Sequence, residues 1–182
     1  GKVIINAAGD PTLASKYFNI KPEMVFEVIT QTLHQQNIKK IEGGIETNTS
    51  IFDTQVIPPG WSWEDIGNYY APPTYSMAFR DNSYEIHLKS DAPGCLVEIL
   101  HTTPEIQNLN LECFATAANN TKDSAFVFGA PYSYHQYISG TIPAFQDDFV
   151  IKGSIPNPAE QFNNELSKYL RENGIEVKRV TT

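Results

Sequence analysis

Cysteine is scarce in these 182 residues, at two, Cys95 and Cys113. That number excludes a disulfide-stapled scaffold, and neither residue sits in the paired spacing of a zinc ribbon. Basic residues are short as well, 13 against 21 acidic, which leaves a formal net charge of −8 and a pI near 4.9. Counterion-driven binding to a phosphate backbone needs the opposite balance, so nucleic acid is not an expected partner. No apolar run approaches the roughly 20 residues of a membrane-spanning helix, and no basic stretch leads into an apolar one at the amino terminus. Neither a span nor a signal peptide is therefore expected in this chain. An initiating methionine is missing too: Gly1-Lys2 runs straight into Val3-Ile4-Ile5, which reads as a fragment or a processed product. What is present in quantity is hydrophobic residue, 41%, beside 19% charged. That is enough for a core in one domain or two small ones.

The two ends read as helix and strand. Val3-Ile4-Ile5 suggests a buried strand that turns through Asn6-Ala7-Ala8-Gly9-Asp10-Pro11-Thr12-Leu13 into a helix, with Asp10 as N-cap and Pro11 at the first helical position. A longer helix is expected from Pro22, with Val25, Val28, Ile29 and Leu33 as its apolar stripe and Asn37 as its end. Ile41 to Ser50 reads as one strand with a glycine pair at its start. Near the carboxyl end Asn157-Pro158 opens a helix with Ala159, Phe162, Leu166, Tyr169 and Leu170 on one face, closed by Gly174. A strand over Ile175 to Val180 follows.

From about 61 to 148 the pattern changes to short alternating runs broken by proline and glycine, such as Tyr84-Glu-Ile-His-Leu88, Leu96-Val-Glu-Ile-Leu100 and Ala125-Phe-Val-Phe128. Charge divides with it. Residues 1–60 hold five basic and six acidic side chains, 149–182 hold five and four, and 61–148 hold three and eleven, so the net charge belongs to the middle. Fourteen of the 21 aromatics lie there too. The expected fold class is α+β: a discontinuous helix-and-strand domain from 1–60 plus 149–182, with a β-rich subdomain, 61–148, inserted in it.

Candidate chemistry is sparse. The loop Asn6 to Leu13 has neither a dinucleotide nor a Walker spacing, and Asp10 would repel a phosphate, so it reads as a structural turn. His34, His87, His101 and His135 are scattered with no second ligand at helical spacing, so no metal and no cofactor is expected, and His87 reads as a half-exposed sheet residue. Cys95 and Cys113 lie in strand-like runs that a hairpin near Pro104 would bring roughly opposite. A cross-strand disulfide is geometrically open; two free buried thiols is the favoured reading. The most conspicuous cluster is Trp61-Ser-Trp63-Glu64-Asp65 with Tyr69-Tyr70-Ala-Pro-Pro73. Aromatics beside carboxylates occur in glycosidase clefts, but two adjacent carboxylates rarely flank one bond from opposite sides. Trp61, Trp63, Tyr69 and Tyr70 therefore read first as cover for a subdomain junction and second as a sugar-stacking platform.

Taken in order, Gly9-Asp10-Pro11-Thr12-Leu13 after an apolar strand, Gly43-x-Ile45-x-x-Asn48-x-Ser50-x-Phe52, Trp61-x-Trp63-x-Asp65 and Tyr70-Ala71-Pro72 carry a resemblance. Over about residues 3 to 90, and again from Asn157-Pro158 to Asn173-Gly174-Ile175, the chain resembles the D-alanyl-D-alanine carboxypeptidase/endopeptidase family of class C low-molecular-mass penicillin-binding proteins. Residues 100 to 148 carry no such likeness, and Asn48 stands where the family usually has Asp.

The resemblance implies a serine-acyltransferase domain interrupted by a second domain, itself interrupted by a third. The chemistry implied is hydrolysis of D-Ala-D-Ala bonds or cross-links of peptidoglycan peptides through an acyl-serine, using Ser-x-x-Lys, Ser-x-Asn and Lys-Thr-Gly motifs. None of the eleven serines has Lys three residues on or Asn two residues on, and no lysine has Gly two residues on. No catalytic residue is therefore expected in this chain. By the resemblance the first motif precedes the Gly9-Asp10-Pro11-Thr12 turn, and the other two follow the Gly174-Ile175 strand. The expectation is a noncatalytic insertion region that shapes the cleft or contacts the cell wall, in the periplasm or envelope. Its partners would be the rest of the parent enzyme and peptidoglycan. The competing expectation is a stand-alone glycan- or envelope-protein-binding module using Trp61, Trp63, Tyr69 and Tyr70.

Overall fold

The computed structural model describes residues 1–178. In chain order its elements are β1 (Val3–Asn6), α1 (Pro22–Gln35), β2 (Lys40–Ile41), β3 (Ile45–Asn48), α2 (Trp63–Ile66), β4 (Ser83–Ser90), β5 (Glu98–Thr103), β6 (Asn110–Cys113), β7 (Thr116–Ala118), β8 (Ser124–Phe128), β9 (His135–Pro143), β10 (Gln146–Ser154), α3 (Pro158–Glu172) and β11 (Glu176–Val177). A single 3₁₀ turn lies at Lys16–Phe18, and Arg80, Asp81 and Asn82 form a turn in which all three residues take positive φ. This is a mixed helix-and-strand chain, and it divides into two compact units.

The first unit gathers Gly1–Gln55, Thr74–Asp81 and the chain from Pro158 onward. β1 pairs in parallel with β3, Val3 against Ile45, and β11 pairs in parallel with β2. The core is a cluster of Phe26, Leu33, Ile41, Ile45, Met77, Phe79, Phe162, Leu166 and Leu170. Its centre is aromatic. Phe26, Phe79 and Phe162 pack pairwise with ring centroids 5.2–6.0 Å apart, two of the three contacts edge to face, arrangements that add about 0.5–1.5 kcal/mol each to the burial itself. Both helices end as their sequences direct. Asn37 and Gly174 take positive φ, and the following N–H reaches back six residues inclusive in each case, Ile38 to the Leu33 carbonyl and Ile175 to the Leu170 carbonyl, each at 2.9 Å.

Four expectations change here. Pro11 starts no helix: residues 11–14 form a turn, and Asp10 accepts from the Thr12 N–H and hydroxyl at 2.8 and 2.7 Å without capping one. On α1, Val28 is 65% exposed and Phe26 takes the inward position beside Leu33. The strand expected over 41 to 50 is two, because Gly43 and Gly44, the latter at φ +82°, turn the chain between β2 and β3. The strand expected over Ile175 to Val180 is the two-residue β11; positions 179 and 180 lie outside the described residues.

The second unit comprises Val56–Pro73 and Asn82–Asn157. Residues 149–157, read from sequence with the carboxyl flank, belong here: 149–154 continue β10 and 155–157 follow it in the same unit. One sheet has the order β10-β4-β5, all antiparallel; β4 alternates strictly, with Tyr84, Ile86, Leu88 and Ser90 inward. In the other, β9 carries β6 and β7 along one side, both parallel, and β8 antiparallel along the opposite side, so β8 is an edge. Between them lies a core of Tyr84, Ile86, Leu88, Val127, Ile138, Ile142, Ile151 and Ile155. Burial raises the pKa of the Tyr84 hydroxyl, which donates to Gln136 Oε1. Both cysteines are free, Cys95 exposed and Cys113 half-buried. No hairpin near Pro104 brings them opposite: β5 pairs with β4 and β6 with β9, while Cys95 precedes β5 and its carbonyl accepts from the Ala117 N–H at 2.9 Å.

Candidate functional site

The aromatic segment sits along the exposed edges of β8 and β10. Ser62 accepts from the Glu64 N–H at 3.3 Å and so starts the one-turn helix α2, whose Ile66 is buried. Gly67 follows because nothing larger fits: a Cβ there would lie 2.1 Å from the Val127 carbonyl oxygen. Asn68, 4% exposed, then takes the place of a missing neighbour strand. Its Oδ1 accepts from the Val127 N–H at 2.9 Å, and its Nδ2 donates to the carbonyls of Val127 and Glu64 at 3.2 and 2.7 Å. Its backbone bridges Gly153 of β10, and Ser154 donates to the Gly67 carbonyl at 2.8 Å. The Asn68 side chain thus satisfies the open edge of β8 at Val127, and the backbone of Gly67 and Asn68 ties it to β10.

Tyr69 and Tyr70 come next. Their rings meet edge to face, centroids 5.5 Å apart at 84°, and each is half exposed. The Tyr70 hydroxyl donates to Asp65 Oδ1 at 3.2 Å; burial, and after it the Asp65 carboxylate, raises its pKa. The two tyrosines wall an open cleft of about 180 Å³ together with Asn68, residues 123–126, Ile151 and Lys152. Asp123 Oδ1 accepts from the Ala125 N–H at 3.0 Å, and Lys152 Nζ meets Glu85 Oε1 at 3.0 Å.

Of the four aromatics singled out from the sequence, Tyr69 and Tyr70 share this cleft, whereas Trp61 and Trp63, 39% and 50% exposed, are not among its walls. Tyr69 and Tyr70 stand perpendicular, so they do not form a flat stacking row. Sequence reading missed Asn68, Asp123, Ala125 and Lys152. No short-range pattern marks them, because the fold brings them from two sheets.

Two histidines that look scattered in the sequence are cross-strand partners. His87 and His101 stack with centroids 4.1 Å apart at 11°, and His87 Nδ1 lies 2.8 Å from Asp148 Oδ1. Among the described residues no group of three or more His, Cys, Asp and Glu side chains is arranged to hold a metal ion, and no helix is long and apolar enough to cross a membrane.

In the first unit, residues 9–13 and 43–52, two of the four segments that carry the family resemblance, meet at the ends of β1 and β3; residues 61–65 and 70–72 lie in the second unit. Gly9, at φ +72°, lies against the Phe52 ring and donates to the Ser76 carbonyl at 2.8 Å. Asn48 Nδ2 donates to Asn6 Oδ1 at 3.0 Å, while Asn48 Oδ1 accepts from the Ser50 N–H at 3.1 Å. The amide supplies a donor that an aspartate would lack. The two hydrogen bonds of Asp10 to Thr12 hold its carboxyl below the usual range.

The pattern of the D-Ala-D-Ala carboxypeptidase 3 (S13) family matches residues 1–182. The chain is 27% identical over 100 residues to the D-alanyl-D-alanine carboxypeptidase DacB of Haemophilus influenzae, covering 54% of this chain and 19% of that protein. It superposes on the crystal structure of penicillin binding protein 4 (dacB) from Haemophilus influenzae with a TM-score of 0.71 at 19% identity, covering 98% of this chain and 38% of that one. Against the same protein complexed with a novel beta-lactam the TM-score is 0.56, also at 19% identity, covering 100% and 36%. The chain therefore spans about a fifth of the curated relative's length and little more than a third of the solved ones.

Proposed function

The chain belongs to the D-Ala-D-Ala carboxypeptidase 3 (S13) family, and on that premise we propose that it is the noncatalytic insertion region of a serine-type D-Ala-D-Ala carboxypeptidase or endopeptidase. One observation carries the reading: the family pattern runs through the whole chain, yet Ser-x-x-Lys, Ser-x-Asn and Lys-Thr-Gly are all missing from it. An acyl-serine mechanism needs the serine, the lysine that activates it and an oxyanion pocket in one place, and this chain supplies no such set. The parent hydrolyses D-Ala-D-Ala bonds of peptidoglycan peptides in the periplasm or cell envelope. This region borders the catalytic cleft or contacts the wall, its β-rich second unit being an insertion in the helix-and-strand first unit. The acidic, aromatic surface of that unit supports the wall-facing role. The alternative, a stand-alone module that binds a glycan or an envelope protein, draws on the exposure of Trp61, Trp63, Tyr69 and Tyr70 but gives no account of the family pattern in the first unit. The reading frame around the coding segment tests the proposal. It is expected to encode Ser-x-x-Lys before residue 1, and Ser-x-Asn then Lys-Thr-Gly after residue 182; stop codons on both sides would contradict it.

A further inference from the structure

The sheet built on β9 has an outward face that the core of its unit does not use. Along β9 the side chains of Gln136, Ile138 and Ile142 are buried, so Tyr137 and Ser139, which alternate with them, face outward. On β8 the buried Val127 leaves Phe126 and Phe128 on that side, and Phe114 lies between Cys113 and Ala115, both packed on the core. None of Phe114, Phe126, Phe128 and Tyr137 belongs to the core cluster. Three of them form a ladder across the strands instead. Phe128 and Tyr137 stack with ring centroids 4.9 Å apart at 9°, and Phe114 meets Tyr137 edge to face at 6.2 Å. Phe114 is 57% exposed, and Leu96, bridged to Thr116, is 70% exposed. The solvent side of a sheet ordinarily carries polar residues; aromatics gathered there mark a contact surface.

Charge distinguishes what can cover it. Glu112 of β6 stands opposite Tyr137 on one side of β9, and Asp123 precedes β8 on the other side. Glu112 lies 3.5 Å from the His135 ring and Asp123 accepts from the Ala125 N–H; among the described residues neither carboxylate has a lysine or arginine within 4 Å. By strand register the two lie about five residues apart along β9, roughly 17 Å, which is about the reach of an extended five-residue segment. Candidate occupants differ in sign. The unit carries ten acidic and three basic side chains, so a second copy would set like charges together and an anionic lipid surface would repel it. A polypeptide with an apolar centre and cationic ends matches both the ladder and the two carboxylates. We propose that this face is the docking surface for a separate protein partner, held through an extended segment of about five residues with an apolar centre and a lysine or arginine toward each end. Docking here uses none of Trp61, Trp63, Tyr69 and Tyr70 and does not depend on the catalytic reading proposed above.

Titration of the 182-residue chain at neutral pH with the capped peptide Lys-Leu-Phe-Leu-Lys, followed by amide chemical shifts, tests it. The controls are Glu-Leu-Phe-Leu-Glu, which reverses the charge, and Lys-Ser-Ser-Ser-Lys, which removes the apolar centre. Saturable shifts are expected at Phe114, Phe128 and Tyr137, with both controls weaker by at least about tenfold. Phe114→Ser, at an exposed position, is expected to weaken binding by about tenfold with the remaining spectrum unchanged. Glu112→Gln is expected to narrow the preference for Lys over Glu ends by at least about threefold; if Phe114→Ser fails to fold, this comparison decides alone. Absence of shifts at these residues, shifts confined to another surface, or an equal response to either control would overturn the proposal. A dimer in sedimentation, with dilution shifting the same three residues, would overturn it too, because a second copy would then occupy the face.

Discussion

Ser167 is wholly buried in α3, and its hydroxyl has no hydrogen-bond partner. Desolvating a hydroxyl without compensation costs about 1–3 kcal/mol in proteins, so Ser167→Ala is expected to raise stability by about 1 kcal/mol in urea unfolding; a loss would show that the hydroxyl is satisfied in solution. Asn68 is the opposite case. Asn68→Ala would strip Val127 of both its edge partners in a buried setting, and a loss of about 2–4 kcal/mol is expected by the same measurement. A change below about 0.5 kcal/mol would mean the edge is satisfied some other way. At Glu27 the prediction is one of pH. The Tyr169 hydroxyl, and after it the Gln31 amide, hold the Glu27 carboxyl below its usual pKa. A lowered folded-state pKa adds stability above the unfolded value, lost as pH falls through the folded one. The midpoint difference between the native chain and Glu27→Gln should therefore be present at neutral pH and shrink below about pH 4. A difference that grew on acidification would reverse the assignment.

Among the elements, α2 and the residues after it decide the geometry of the cleft. Gly67→Ala would drive a methyl into the Val127 carbonyl, 2.1 Å from where its Cβ must sit. Backbone atoms cannot swing aside as a side chain would, so a loss of at least about 1–3 kcal/mol is expected from thermal or urea unfolding, with the Tyr69 and Tyr70 amide shifts moving most. An unfolding curve like the native one, with those shifts unchanged, would show that α2 does not bear on β8. The ends of α1 and α3 were legible in the sequence, because Asn37 and Gly174 supply left-handed caps that act locally. The inward face of α1 was legible in part: Val25, Ile29 and Leu33 pack on the core as expected, whereas Val28 is exposed and Phe26 takes the central place. Val28 and Phe26 fit helical periodicity on neighbouring stripes, and the choice is made by Phe79 and Phe162, distant in the chain. Likewise Tyr69 and Tyr70 could be picked out by residue type, but the cleft could not. It exists because Asn68 finds Val127, 59 residues away, and no local pattern records that pairing.

For the whole molecule, the acidity noticed first in composition has a place. The residues of the second unit carry ten acidic and three basic side chains, those of the first unit eleven and ten. A surface of that sign repels polyanions and, by salt-screened repulsion alone, resists non-specific association. The resemblance crosses this partition: residues 9–13 and 43–52 fold into the first unit, whereas residues 61–65 and 70–72 fold into the second, where most of the exposed aromatics collect. The central claim is that a chain with the family's pattern throughout carries none of its nucleophilic chemistry. Incubation of the 182-residue chain with a fluorescent penicillin, followed by denaturing electrophoresis and intact mass, tests it most directly. The account predicts no covalent label and an unchanged mass; one penicilloyl adduct per chain would contradict it.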